Sequence, residues 1–171
     1  ARPAADTLTA TLAGEFALQA GKLDEAADWY LQAARSAAGD AGLAERATRI
    51  ALLAGDNARS ADALALWRAR APRSLPMRAG EATLSMRSRD ARGARRELEA
   101  LLRDRDPDAW RYAFAALASG SKDPDMTATL LGQLVAAGAI PDQLQPWLAF
   151  GGLSQRLGRN DLTERIVDEV I

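Results

Sequence analysis

Cysteine and histidine are both missing from the 171 residues. Without cysteine there is no disulfide, no thiolate nucleophile and no sulfur ligand for a metal. Without histidine the commonest general base and metal ligand is gone, so acid-base chemistry would rest on carboxylates alone. Lysine occurs only at Lys22 and Lys122, nearly all positive charge being arginine, and 22 basic against 23 acidic residues leave a net charge of −1. That balance offers no global field to draw in nucleic acid or an anionic membrane. Aromatic residues make up 5% of a chain that is 48% hydrophobic. The apolar content is therefore mostly alanine and leucine, which favours helices packed at short distance. No apolar run approaches the ~20 residues of a membrane span, and no charged-apolar-small leader opens the chain. The expectation is a cytoplasmic protein or a mature, trimmed segment, with no membrane insertion of its own.

What is present is organised around Leu12 to Ala34, with small residues at Gly14, Gly21, Ala26 and Ala33 and an aromatic at Tyr30. This is the layout of a helix hairpin with close-approach positions in both helices. Gly14 and Ala26 are expected to let the two helices touch backbone to backbone, with Tyr30 filling the wedge. Gly21 falls where a left-handed residue closes the first helix, which costs little only without a Cβ. Ala33 leaves room for the next hairpin. A shift of 34 residues from Gly21 reaches Gly55, again followed by an acidic residue, Asp56. That is the repeat period.

Taken in order, Ala1 to Asp6 reads as a lead-in, with Pro3 opposing early helix and Asp6 or Thr7 capping the first helix. The hairpins are 7–20 with 23–38, 43–54 with 58–71 and 75–88 with 91–103, then 107–119 with 124–137. The fifth is a helix from Pro146 to Gly158 followed by 161–171. Ser60, Leu64 and Trp67 take the places of Ala26, Tyr30 and Ala33, and Ala82, Ala94 and Leu98 continue the series. Arg89 replaces the turn glycine, which predicts a turn built differently there. Asp106 and Pro107 read as a cap and a first-turn proline, and Asp40 and Asp123 as caps.

Three catalytic or ligand-binding patterns fail on context. Ser119-Gly-Ser-Lys122 matches an S-x-x-K nucleophile pattern but lies after a helix, without its partner motifs. Asp104, Asp106 and Asp108 alternate like a calcium loop, yet Ala109 and Ala115 stand where glycine and glutamate are required. Arg87, Arg89, Arg92, Arg95 and Arg96 form a basic cluster interleaved with Asp90, Glu97 and Glu99 and without aromatic partners. This reads as a solvated helix face rather than a nucleic-acid surface. Trp29, Trp67, Trp110 and Trp147 sit mostly at packing positions. No catalytic residue, metal site or cofactor is expected, and the chain reads as a non-enzyme.

The 34-residue period, the small and aromatic positions, and Trp147, Phe150, Gly151 and Ser154 against W-x-x-L-G-x-x-Y resemble the tetratricopeptide repeat (TPR). The resemblance implies an all-α solenoid of about five hairpins in a right-handed superhelix. It divides 1–171 into one array of repeats at about 7–40, 41–74, 75–106, 107–140 and 141–171, expected to be a fragment of a longer one. A narrower likeness rests on Leu8-Thr-Ala-Thr-Leu-Ala-Gly14, Trp29-Tyr-Leu-Gln-Ala33, Gly42-Leu-Ala-Glu-Arg-Ala-Thr-Arg-Ile-Ala51 and Ala63-Leu-Ala-Leu-Trp67 with Ala71-Pro72. These look like the first repeats of large TPR lipoproteins of proteobacterial envelopes. That resemblance implies a periplasmic adaptor, outer-membrane anchored in the full-length protein, serving a carboxyl-terminal processing protease or its substrates. The two-carboxylate clamp of chaperone-binding TPRs is absent, its places being taken by Thr11, Glu15, Ala79 and Thr83.

The resulting expectation is a scaffold binding a protein or peptide in a concave groove lined by first helices. By the TPR pattern the groove carries Glu15, Leu18, Gln19, Glu45, Arg49, Leu52, Thr83, Met86 and Arg87. The alternative keeps the fold but makes it an assembly segment working through its repeat ends. In the last helix, Leu162, Ile166, Val167 and Val170 recur at helical spacing and predict an apolar face able to self-associate.

Overall fold

The computed structural model describes residues 6–120 and 122–171, and among them it shows ten α-helices and no strand. In chain order these are α1 (Thr7–Gln19), α2 (Leu23–Ser36), α3 (Ala41–Ala54), α4 (Asn57–Arg70) and α5 (Leu75–Arg87). The second five are α6 (Ala91–Leu102), α7 (Ala109–Ser119), α8 (Pro124–Ala136), α9 (Leu144–Arg156) and α10 (Asn160–Val170). The expected lead-in around Pro3 and the Ser121 of the S-x-x-K pattern lie outside the described residues.

Local chemistry sets the helix ends. Behind α1, α3, α5, α8 and α9 stands one residue of positive φ, respectively Gly21, Gly55, Arg89, Gly138 and Gly158. Each uses the same paired closure. At Gly55, for example, its N–H bonds Leu52 O at 3.2 Å and the next N–H, of Asp56, bonds Ala51 O at 3.0 Å. Two otherwise orphaned carbonyls are thereby satisfied at the end of the helix. Arg89 does not force a different turn. It adopts φ 59° and repeats both bonds, at 3.1 and 2.8 Å, so the expected departure is replaced by a strained copy of the glycine turn. A non-glycine residue there costs roughly 1–2 kcal/mol, which the paired bonds and the packed helices on either side must outweigh.

Aspartates cap α1, α3, α4, α6 and α8. Asp6, Asp40, Asp56, Asp90 and Asp123 each accept from a backbone N–H three residues on, at 2.7 to 3.2 Å. Each satisfies one of the four donors a helix leaves open. Pro124 sits in the first turn of α8 as expected. Pro107 does not open α7. Asp104 and Asp106 instead fold back on the N–H groups of Asp106 and Asp108, and the helix begins only at Ala109. In α9 the start is Leu144, two residues before Pro146, which still lies in the first turn where no N–H is needed.

The chain divides into two compact units, residues 1–80 and 81–171, the boundary falling within α5. In the first, α2 packs against α1, α3 and α4, and α3 against α4. Its core runs through Ala17, Ala26, Ala27, Tyr30, Leu31, Ala34, Ala47, Ile50, Ala51 and Ala63. So many alanines bring the helices close, and Tyr30 is the bulkiest side chain of this cluster. Room comes from Gly14, where a Cβ would fall 2.7 Å from both Tyr30 Cδ2 and Cε2. Gly14 therefore receives a ring, rather than the backbone near Ala26. Arg70, at the end of α4, donates to Ala34 O at 2.6 Å and Asp40 O at 2.8 Å, satisfying a free carbonyl at the end of α2. In the second unit α6 packs on α7 and α8, α7 on α8 and α9, and α9 on α10. Phe114 and Phe150 meet edge to face at 5.4 Å.

Candidate binding surface

The first-helix surface of the first unit is formed by α1 and α3, and it contains six of the nine residues expected to line a groove. On α1, Glu15 is half-buried, Leu18 leans into the core and Gln19 is exposed. On α3, Glu45 and Leu52 are half-buried and Arg49 is exposed.

Glu15 is engaged within the fold. The Tyr30 hydroxyl donates to its Oε1, and the Arg46 guanidinium of α3 donates to the same oxygen. Arg46 also lies over the Tyr30 ring, 5.0 Å from its centroid, a cation-π contact that adds to the ion pair. The hydroxyl bond, then the nearby guanidinium, hold the Glu15 carboxyl below the usual carboxylate range. Burial and the carboxylate it donates to push the Tyr30 phenol up. Three residues on three helices thus form one charged junction between the first two hairpins. Arg46 was not among the expected residues, and no short motif marks it; only the placing of α3 beside α1 and α2 gives it these partners.

Glu45 and Arg49 pair with each other along α3, at 2.5 Å and a spacing of four. Leu53, four residues further on, is 67% exposed on the same stripe. It stands 34 residues after Gln19, so it faces as Gln19 does. Leu52 is the leucine expected in the groove, yet its neighbour is the exposed one. The apolar surface of α1 was also missed: Leu8, Leu12 and Phe16 recur every fourth residue and all three are exposed.

In the second unit Thr83 and Arg87 are half-buried on α5. Met86 is 1% exposed, and its Cε fills the space where a Gly120 side chain would stand. Met86 is a core residue, which corrects its assignment as an adaptable groove anchor. The arginine cluster on α6 is laced by its own carboxylates, Arg95 to Glu99 at 2.9 Å and Arg96 to Glu97 at 3.4 Å. Arg92, Arg95, Arg96, Glu99, Ala100 and Arg103 line a shallow open depression there, with Arg103 turned to Ala137 O. No group of acidic side chains able to hold a metal occurs among the described residues, and no helix there is long and apolar enough to cross a membrane.

Consecutive helix pairs at a 34-residue spacing, closed by left-handed turns and opened by aspartate caps, define a TPR-type helical fold. Among solved structures, the chain is similar to the crystal structure of MamA protein, with a TM-score of 0.53 and 11% identity over 96% of this chain and 89% of that one. At that identity the likeness bears on the fold alone. No family profile and no curated protein matches the sequence.

Proposed function

We propose that the chain is a non-enzymatic scaffold that binds an extended protein or peptide segment on the first-helix surface of its first unit. The observation that carries this reading is the stripe of half-buried Glu45 and exposed Arg49 and Leu53 on α3, beside Gln19 and the Glu15–Arg46 junction. Both charge signs stand within one helix turn, which suits a polypeptide backbone offering donors and acceptors alternately and suits a uniformly anionic polymer poorly. Leu53 supplies an apolar anchor on a rigid element, the arrangement in which a few residues carry most of the binding energy. The likeness to envelope TPR lipoproteins supports a periplasmic setting, with outer-membrane anchoring in the full-length protein. It also supports a carboxyl-terminal processing protease, or that protease's substrates, as the partner.

Arrayed peptides tiling envelope proteins, probed with the labelled chain, test this directly. Arg49→Glu with Leu53→Ala should weaken retained peptides by tenfold or more, equivalent to ~1.4 kcal/mol, while helix content stays at the parent level. A double variant that keeps every peptide at parent strength removes the surface from consideration.

A further inference from the structure

We infer that the solvent face of α6, in the second unit, is a docking surface for an acidic polypeptide segment, held by the guanidinium groups of Arg92, Arg96 and Arg103.

The face is set by the packing of the helix. α6 packs on α7 and α8, and its Ala94, Leu98, Leu101 and Leu102 are buried. At about 100° per residue, Arg92, Arg96 and Arg103 fall within about 40° of one another on the opposite side. All three are exposed.

Nothing in the repeat demands arginine there. One repeat earlier the same places hold Ala58, Asp62 and Ala69, and two repeats earlier Asp24, Asp28 and Arg35. Charges at those places tie α2 to α4: Asp62 pairs with Arg35 at 2.7 Å, and Asp28 with Arg59 at 3.6 Å. In α6 the guanidinium groups are mostly uncommitted. Arg92 has no hydrogen-bond or ion-pair partner among the described residues. Arg96 reaches only Glu97, its neighbour in sequence, at 3.4 Å with its side chain 73% exposed. Arg103 engages through Nη2 alone, with Ala137 O at 3.2 Å. Arginines four residues apart on one helix repel, so helix stability does not account for Arg92 and Arg96 standing together.

The shape comes from Ala100. It stands about one turn from both Arg96 and Arg103, and its short side chain opens a notch between their stems. Together with Arg92, Arg95 and Glu99 these residues line the depression, of about 490 Å3.

A guanidinium offers its N–H donors as a planar fork that fits a carboxylate with two bonds at once. Arg92 and Arg96 are about 6 Å apart along the helix axis, and Arg103 lies about 10 Å further on. Side chains on one side of an extended chain recur every ~6.6 Å. Carboxylates at alternate places therefore keep pace with Arg92 and Arg96, and the long Arg103 stem reaches back to the third. Glu99, paired with Arg95 in the same depression, repels a densely anionic backbone but accepts from peptide N–H groups. No aromatic side chain lines the depression for a base to stack on. Both points favour a polypeptide over a nucleic acid.

The probe is a fluorescein-labelled peptide of about six residues with glutamate at alternate places, titrated into the full 171-residue chain and followed by anisotropy. It should bind, more weakly as salt is raised, and its glutamine counterpart should not. Arg92→Gln with Arg96→Gln should weaken binding by about tenfold or more. Ala100→Glu should do the same, because it puts a carboxylate into the notch four residues after Arg96 and three before Arg103. These are exposed places and good helix formers, so helix content should stay at the parent level in both variants. Arg73→Gln with Arg156→Gln removes the same charge at exposed places outside α6 and should leave the affinity unchanged. A parent that does not bind the peptide overturns the inference, as does Ala100→Glu binding at parent strength. Equal weakening in the Arg73 and Arg156 variant overturns it too, since that assigns the attraction to net charge. So does a single-stranded oligonucleotide of equal charge that binds the same arginines more tightly than the peptide.

Discussion

Gly14→Ala sets helix propensity against packing, and the structure says which wins. Inside a helix, alanine is favoured over glycine by ~1 kcal/mol. At Gly14 the added Cβ would lie 2.7 Å from two ring carbons of Tyr30, closer than such atoms approach. The ring has nowhere simple to go: it is fully buried, its hydroxyl is tied to Glu15, and Arg46 sits over its face. Insertion into a packed site of this kind costs about 1–3 kcal/mol, so the net change after the propensity gain is a loss of up to about 2 kcal/mol, toward the upper end because the ring is pinned. Gly132→Ala is the matched control, since that glycine lies within α8 and a Cβ there meets nothing within 4 Å. It should gain up to ~1 kcal/mol. Urea unfolding followed by circular dichroism measures both, and the two midpoints should move in opposite directions. Adding Tyr30→Leu completes a cycle in which Gly14→Ala becomes neutral or favourable, because the atoms it strikes are gone. The reasoning is refuted if Gly14→Ala alone matches or exceeds the parent midpoint.

Arg89→Gly should stabilise by about 0.5–1 kcal/mol, the relief of left-handed strain exceeding the added freedom of the unfolded chain, and an unchanged or lower urea midpoint would contradict the φ of 59°. The carboxyls of Glu15 and Asp56 are held low, by the Tyr30 hydroxyl with Arg46 and by the Arg59 N–H with its guanidinium respectively. Their contribution is full above the unfolded values of about 4 and is lost as pH falls toward the lowered folded values, because the unfolded chain then binds more protons. Urea midpoints should therefore drop between about pH 5 and pH 3, and less steeply in Glu15→Gln; a flat profile would count against the Glu15–Tyr30–Arg46 junction.

Helices, turns and period were legible in the sequence because their causes are local. A glycine at positive φ closes a helix wherever it stands, and an aspartate caps through a bond only three residues long. Even where the pattern broke, at Arg89, the paired turn bonds imposed the glycine conformation on the residue present. What the sequence could not order was the fate of residues whose neighbours lie a helix or more away. Leu52 and Leu53 are alike as letters, yet the position of α3 exposes the second. Met86 reads as an adaptable surface residue until Gly120 opens a space that its side chain fills. Arg46 is one arginine among many until α1 and α2 bring Glu15 and Tyr30 beneath it. Hydrogen bonds within a turn are settled by adjacent residues, so sequence alone determines them. Burial and cross-helix charge pairing depend on which side chains the other helices deliver to one point, and only the tertiary structure decides that.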